Sequence, residues 1–339
     1  MKALVLELLT GRGPLLPLLA LLIVGALVFA LASRLARHAD TIAGATGLGG
    51  LWIGSVLLAA ATSLPEILTD GNAALLDAPD IGVGDLLGST LANMLILAVF
   101  DLGFAGRRIL HSVGPGHAGL GALGILVTAM AGLAIFTGGW GRIGHVGIDT
   151  LAIVAVYLGA MRRIYRSLPA APVTLPRSPH GDRGGIRRPL VGFGLGAVGL
   201  FVVTPLLVLS AEAFAREGGV TETFVGTLLV GLATSFPEMA ATVSAVRLGA
   251  LDLAVGNIFG SNAFNMTILL VMDLVYVRGP VLTVVSRDHL VTVLVAVTCL
   301  SLGVLAIIVR DERQHSGLRG ESVLIVALYV TAAWMLYQR

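Results

Sequence analysis

Ala61-Thr62-Ser63-Leu64-Pro65-Glu66 and Ala233-Thr234-Ser235-Phe236-Pro237-Glu238 are one motif written twice, 172 positions apart. The same offset carries Gly84 onto Gly256, Gly88 onto Gly260, Ser89 onto Ser261 and Asn93 onto Asn265. Residues 54–102 laid on 226–274 need no gap and agree at 22 of 49 positions. The chain is therefore an internal duplication. Each copy sets a hydroxyl pair, a proline and an acid inside an apolar run.

Around those runs the composition leaves little polar surface. Hydrophobic residues make up 56% of the 339 and charged residues 12%, too few to coat a water-soluble globule of this size. A polytopic, all-α membrane protein follows. A span needs about 20 mainly apolar residues, which places ten at 14–33, 46–70, 81–103, 118–137, 146–161, 190–214, 222–246, 253–275, 288–309 and 321–338. The first is read as a retained helix, because its apolar run is long and closes on Ser33-Arg34-Leu35-Ala36-Arg37. The single cysteine, Cys299, falls in the ninth span and leaves no disulfide framework or CxxC site.

Lys and Arg divide unequally between the two faces. One face receives Arg34, Arg37, Arg107, Arg108, seven arginines between Arg162 and Arg188, Arg247, Arg310, Arg313 and Arg319. The other receives Lys2, Arg12, Arg142, Arg216, Arg278, Arg287 and Arg339. The richer face is read as cytoplasmic, which puts both termini outside a prokaryotic cytoplasmic membrane. The basic stretch 162–189 is then an inside linker and not a nucleic-acid site. It separates a first half, 1–161 with its motif block at 54–102, from a second, 190–339 with its block at 226–274. Five spans in each half force the second to enter from the opposite side, so the two five-helix repeats are inverted about an axis in the membrane plane.

Proline at 65 and 237 cannot donate to the carbonyl four residues back, so each helix should break in mid-membrane. In lipid such a break survives only where protein, water or an ion satisfies the freed carbonyls. Glu66 shares a helix face with Thr62, and Glu238 with Thr234; Ser63 and Ser235 lie beside those faces. Ser89 and Asn93 share a face of the third span, Ser261 and Asn265 one of the eighth. If the four helices meet, two carboxylates, hydroxyls, amides and carbonyls converge with no His or thiolate among them. That all-oxygen set suits a hard cation, calcium above all, and sodium through hydroxyls and carbonyls. A mid-bilayer acid costs roughly 2.5 to 3.5 kcal/mol on insertion scales, and bearing that cost twice at equivalent positions marks a site rather than a packing kink.

Other acids carry less. Asp101 and Asp273 lie near span ends and read as solvated, Asp149 and Glu212 as interfacial. Asp85 lies one turn before Ser89, either lining an ion path or snorkelling at the outer mouth, and its repeat mate is Asn257. His111, His117 and His145 read as loop residues without ligand spacing.

The paired Thr-Ser-x-Pro-Glu and Gly-Ser-x-x-x-Asn blocks resemble the two alpha repeats of the sodium/calcium exchanger family, of bacterial or archaeal type, within the wider cation/calcium antiporter superfamily. The resemblance implies ten helices, both termini outside, and calcium held by Glu66 and Glu238 with Asn93 and Asn265. It implies flanking sodium sites from Thr62, Ser63, Ser89, Thr234, Ser235 and Ser261, with backbone carbonyls near Ala59 and Gly231. The chain departs from many members at Asp85 and Thr90, where Asn is common, and from some at Asn265, where Asp occurs.

These readings imply secondary antiport by alternating access, with calcium exchanged for sodium or, alternatively, for protons. Only neutralised forms would cross, because an empty site would bury unpaired charge. A channel or non-transporting sensor on the same scaffold is the second class. A hydrolase using the two glutamates is disfavoured, since neither nucleophile nor metal-binding His accompanies them. No enzymatic role, cofactor or nucleic-acid partner is expected.

Overall fold

The computed structural model describes residues 2–46, 62–103, 109–114, 116–167, 187–247, 249, 251–309 and 319–339. The first half contains α1 (Lys2–Leu9), α2 (Leu15–Thr46), α3 (Leu64–Leu75), α4 (Pro79–Gly103), α5 (Gly116–Thr137) and α6 (Ile148–Ser167). The second opens with α7 (Arg187–Gly218) and α8 (Glu222–Val225), which runs through a π-helical turn, Gly226–Val230, into α9 (Gly231–Thr234). α10 (Phe236–Arg247), α11 (Leu251–Val275), a short α12 (Val281–Val284), α13 (His289–Ile308) and α14 (Gly320–Tyr337) complete it. A two-residue hairpin, β1 (Arg142–Ile143) with β2 (Val146–Gly147), joins α5 to α6.

This is a helical, polytopic membrane fold. Eight helices among the described residues are long and apolar enough to span a bilayer. Of the ten spans read from the sequence, the one at 46–70 lies mostly outside the described residues, and the one at 146–161 is the 20-residue helix α6, which is not among the eight.

The duplication reaches well beyond the 49 matched positions. A shift of 172 carries α2 onto α7, α3 onto α10 and α4 onto α11 from first residue to last, and the start of α6 onto that of α14. Two pairs of equivalent helices, α2 with α7 and α5 with α13, pack against one another antiparallel. A Cβ on Gly25 would lie 3.9 Å from Leu207, one on Gly199 3.2 Å from Leu31 and one on Gly196 3.3 Å from Leu35, so rising numbers in α2 meet falling numbers in α7. Gly121 faces Val304 while Gly132 faces Val293, which sets α5 against α13 in the same sense.

Polar contacts follow the same exchange. Asp252, in the first turn of α11, accepts from Gly114 N and meets His117 Nε2, both at 3.0 Å; Asp80, in the first turn of α4, accepts from Ser286 N at 2.6 Å and meets His289 Nε2 at 2.9 Å. Each pair is the other shifted by 172. His117 thus sits in the first turn of α5 and binds an acid across the repeats, which corrects its reading as an idle loop residue.

Asp101 and Asp273 are also corrected, since both are buried. Asp101 accepts from Ile109 N at 2.7 Å and Ser322 Oγ at 2.8 Å. Asp273 accepts from Val281 N at 2.7 Å, Thr150 Oγ1 at 2.7 Å and Gly147 N at 2.6 Å. Satisfied this fully, a carboxylate can stay buried and lock one half to the other. Asp149 is buried too, accepting from Trp140 N, and Glu212 is buried between Lys2 and Arg216.

Charge-assisted hydrogen bonds contribute about 1.5 to 3 kcal/mol each. Asp273→Ala and Asp101→Ala are therefore each expected to lower the melting temperature of the detergent-purified protein. A melting curve unchanged by either substitution would show that these carboxylates lock nothing.

Candidate functional site

The chain breaks at Ser63 (φ −84°, ψ 10°) and Ser235 (φ −77°, ψ 1°), two residues ahead of each proline. Pro65 and Pro237 occupy the second position of the helices that follow, where a missing N–H costs no intrahelical bond. The break exposes the Thr-Ser pair to neighbouring helices, and Glu66 and Glu238 project from the first turns of α3 and α10.

The π-helical turn ahead of Thr234 was not foreseen from sequence, although π turns recur at functional sites. It packs on α4 backbone to backbone. A Cβ on Gly84 would lie 3.0 Å from Gly226 Cα, one on Gly231 2.8 Å from Gly88 C, and one on Gly88 would overlap the Thr227 carbonyl. Side chains have no room at this crossing, so four glycines, Gly84, Gly88, Gly226 and Gly231, set the distance from α4 to the π-helical turn and α9.

That closeness assembles one polar cluster. Ser89 Oγ lies 3.3 Å from the Gly231 carbonyl and 3.1 Å from Thr234 Oγ1, and Thr234 Oγ1 donates to Asp85 Oδ1 at 2.7 Å. Ser235 Oγ donates to the same Gly231 carbonyl at 2.8 Å. Asp85 is fully buried, so it faces the cluster and does not snorkel. A second cluster forms around Glu238, which meets Ser63 Oγ at 3.4 Å and is also faced by Thr62. Thr62 and Thr234 thus turn from the acid of their own repeat toward one of the other.

Asn93 donates to Asn262 Oδ1 at 2.8 Å across α4 and α11. Ser261 and Asn265 are fully buried, and their side-chain oxygens have no described partner. Both oxygens of Glu66 and Oε2 of Glu238 are in the same position, buried and accepting nothing. Ala59 lies outside the described residues. No three of His, Cys, Asp and Glu close around one point among the described residues, so a cation here would draw on hydroxyl, amide and carbonyl oxygens as well.

The residue that sequence reasoning passed over is Asp70. It sits one turn beyond Glu66 on α3, fully buried, facing Asp85. The spacing from Glu66 to Asp70 carried the signal, but the absence of an acid at its mate, Thr242, hid it from a comparison of repeats.

Residues 16–161 and 188–338 match the family described as sodium/calcium exchanger protein. The inner membrane protein YrbG of Escherichia coli (strain K12) is 30% identical over 335 residues, covering 94% of this chain and 96% of its own. The putative antiporter CaxA of Alkalimonas amylolytica is 27% identical over 263 residues, covering 73% and 77%. Among solved structures, YfkE, a Ca2+/H+ antiporter, aligns with a TM-score of 0.67 at 17% identity over 98% of this chain and all of that one. The sodium-calcium exchanger NCX_Mj aligns at 0.59 with 20% identity, over 94% and 98%. Both share the fold.

Proposed function

The chain belongs to the sodium/calcium exchanger protein family, a family of antiporters and not of enzymes, and on that footing we propose that it exchanges calcium for sodium across a prokaryotic cytoplasmic membrane by alternating access. Glu66 and Glu238 hold calcium, with Asn93 and Asn265 completing its oxygen shell. Sodium ions take the flanking hydroxyls of Thr62, Ser63, Ser89, Thr234, Ser235 and Ser261, with carbonyls at Ala59 and Gly231.

One observation carries this reading: Glu66 and Glu238 are fully buried, yet three of their four carboxyl oxygens accept no hydrogen bond from a described donor. Buried carboxylates without partners are costly, and a hard cation is the compensation their oxygen neighbours can share. Exchange without leak follows, because the empty site would have to cross with its charge exposed to low dielectric.

Ten spans in two inverted halves, with both termini outside, is the architecture we propose, supported by the antiparallel packing of α2 on α7 and of α5 on α13. α2 and α7, which carry no motif, are the elements we propose to move against the ion-binding core.

Proton coupling is the second reading, favoured by the number of buried carboxyls, which exceeds what one calcium neutralises. Calcium uptake into sodium-loaded proteoliposomes diluted into sodium-free buffer, at equal pH on both sides, separates the two. Uptake should vanish when sodium is equal inside and out. Uptake indifferent to sodium but driven by an imposed pH gradient would replace sodium by protons.

A further inference from the structure

Four carboxyls, not two, are buried around the breaks. Glu66, Asp70, Asp85 and Glu238 are each inaccessible to solvent. Asp85 spends Oδ1 on Thr234 and Ser89, and the Asp70 carboxyl lies within hydrogen-bond reach of that of Asp85, with no other described donor to either oxygen of Asp70 or to Asp85 Oδ2. The ion pairs of the described residues engage Asp77, Asp80, Glu212, Asp252 and Asp288 and none of these four. The frame repeats closely in both halves, but this surplus does not: the mates of Asp70 and Asp85 are Thr242 and Asn257. The added charge therefore lies on one side of the site only, toward the turn at residues 76–78 that links α3 to α4.

Resting on the antiporter reading above, we propose that Asp70 and Asp85 hold a second calcium ion, completed by the hydroxyls of Thr234 and Ser89 and the carbonyl of Gly231, groups that sodium takes in its place when sodium is bound. The charge balance allows it, since one divalent ion neutralises Glu66 and Glu238, and two further carboxyls in contact with each other can both ionise only with a cation between them. The donors fit: two carboxylates with hydroxyl and carbonyl oxygens form a hard, all-oxygen set suited to calcium. Thr234 Oγ1 donates its proton to Asp85 and keeps its lone pairs for a cation. Asp70, in carboxyl-to-carboxyl contact with Asp85, supplies the second carboxylate when calcium takes the place of the proton that such a contact holds. Because the second repeat lacks both acids, calcium arriving from the 76–78 side meets a binding position that calcium arriving from the opposite side does not.

Equilibrium calcium binding to the purified full-length protein, in sodium-free buffer at fixed pH, tests the proposal. Wild type is expected to bind two calcium ions per chain, and the double variant Asp70→Thr/Asp85→Asn one. That pair of substitutions installs the residues the second repeat already carries at the equivalent positions, and Asp70→Asn/Asp85→Asn serves as an isosteric second variant. One calcium per wild-type chain, or a count that the double variants leave unchanged, would overturn the proposal; the first result would assign the surplus charge to a shared proton or to sodium. Glu238→Gln keeps the two failures apart. It is expected to abolish exchange while retaining one bound calcium; exchange that persists in Glu238→Gln removes Glu238 from the transport site without bearing on the Asp70–Asp85 position, and a wild type that takes up no calcium under either a sodium or a pH gradient defeats the antiporter reading.

Discussion

Glu66→Gln is expected to abolish calcium exchange in proteoliposomes while leaving a folded, monodisperse protein, and Glu238→Gln to do the same. The amide matches the carboxyl in shape, so packing at the first turns of α3 and α10 is kept and only the charge is lost. Two unit charges about 4 Å apart interact by about 4 kcal/mol at the effective dielectric of a protein site. A divalent ion at ligand distance loses at least that much, or about three orders of magnitude in affinity. Glu66 should be the purer case, because neither of its oxygens accepts a hydrogen bond from another described residue. Glu238 also loses an acceptor for Ser63. Radioactive calcium uptake under a sodium gradient is the measurement. Transport within twofold of wild type by either variant would remove that carboxylate from the site.

The second large effect separates two glycines that look identical in sequence. Gly88→Ala is expected to cost about 3 kcal/mol or more, at or beyond the usual range for overpacking, because its Cβ would overlap the backbone carbonyl of Thr227, which cannot rotate away as a side chain can. α4 would have to withdraw from the π-helical turn, parting Ser89 from Gly231 and Asp85 from Thr234, so transport should fall with stability. Gly260→Ala, the same substitution in the other repeat, should leave the melting temperature near wild type, since a Cβ there meets no atom within 4 Å. Thermal melting of both variants by size-exclusion chromatography decides the matter. Equal losses for the two would mean that the α4 crossing is not the tight point of the fold.

This contrast extends to the whole protein, whose frame is twofold while its site is not. The His–Asp pairs, the carboxylate locks at Asp101 and Asp273 and the Gly–Val contacts of α5 with α13 all occur in exchanged copies. In the site, Thr234 binds Asp85 and Ser89, whereas Ser261 and Asn257, the mates of Ser89 and Asp85, have side-chain oxygens without described partners. A transporter that opens to one side at a time needs this combination: two halves able to exchange roles, held in different local arrangements.

The sequence by itself determined the membrane class, the duplication and the short list of polar residues. Each of these is a one-dimensional property: mean hydropathy, a fixed offset, and acids and prolines where lipid tolerates few. It also located the helix breaks to within two residues, since a proline acts on its own backbone. Only the tertiary structure decided which groups meet. Thr62 and Thr234 were placed by helix periodicity beside the acids of their own repeat, but the breaks at Ser63 and Ser235 end that periodicity and turn both toward acids of the other. Asp101 and Asp273 read as solvated because they lie at span ends, yet Ser322 and Thr150, more than 120 positions away, bury them. Asp70 was passed over and Asp85 was read alone, as lining an ion path or snorkelling, because the proximity that makes them a pair is set by the packing of α3 on α4. Local chemistry is written along the chain. Convergence of charge depends on distances between helices, which here depend on glycines whose neighbours no offset reveals.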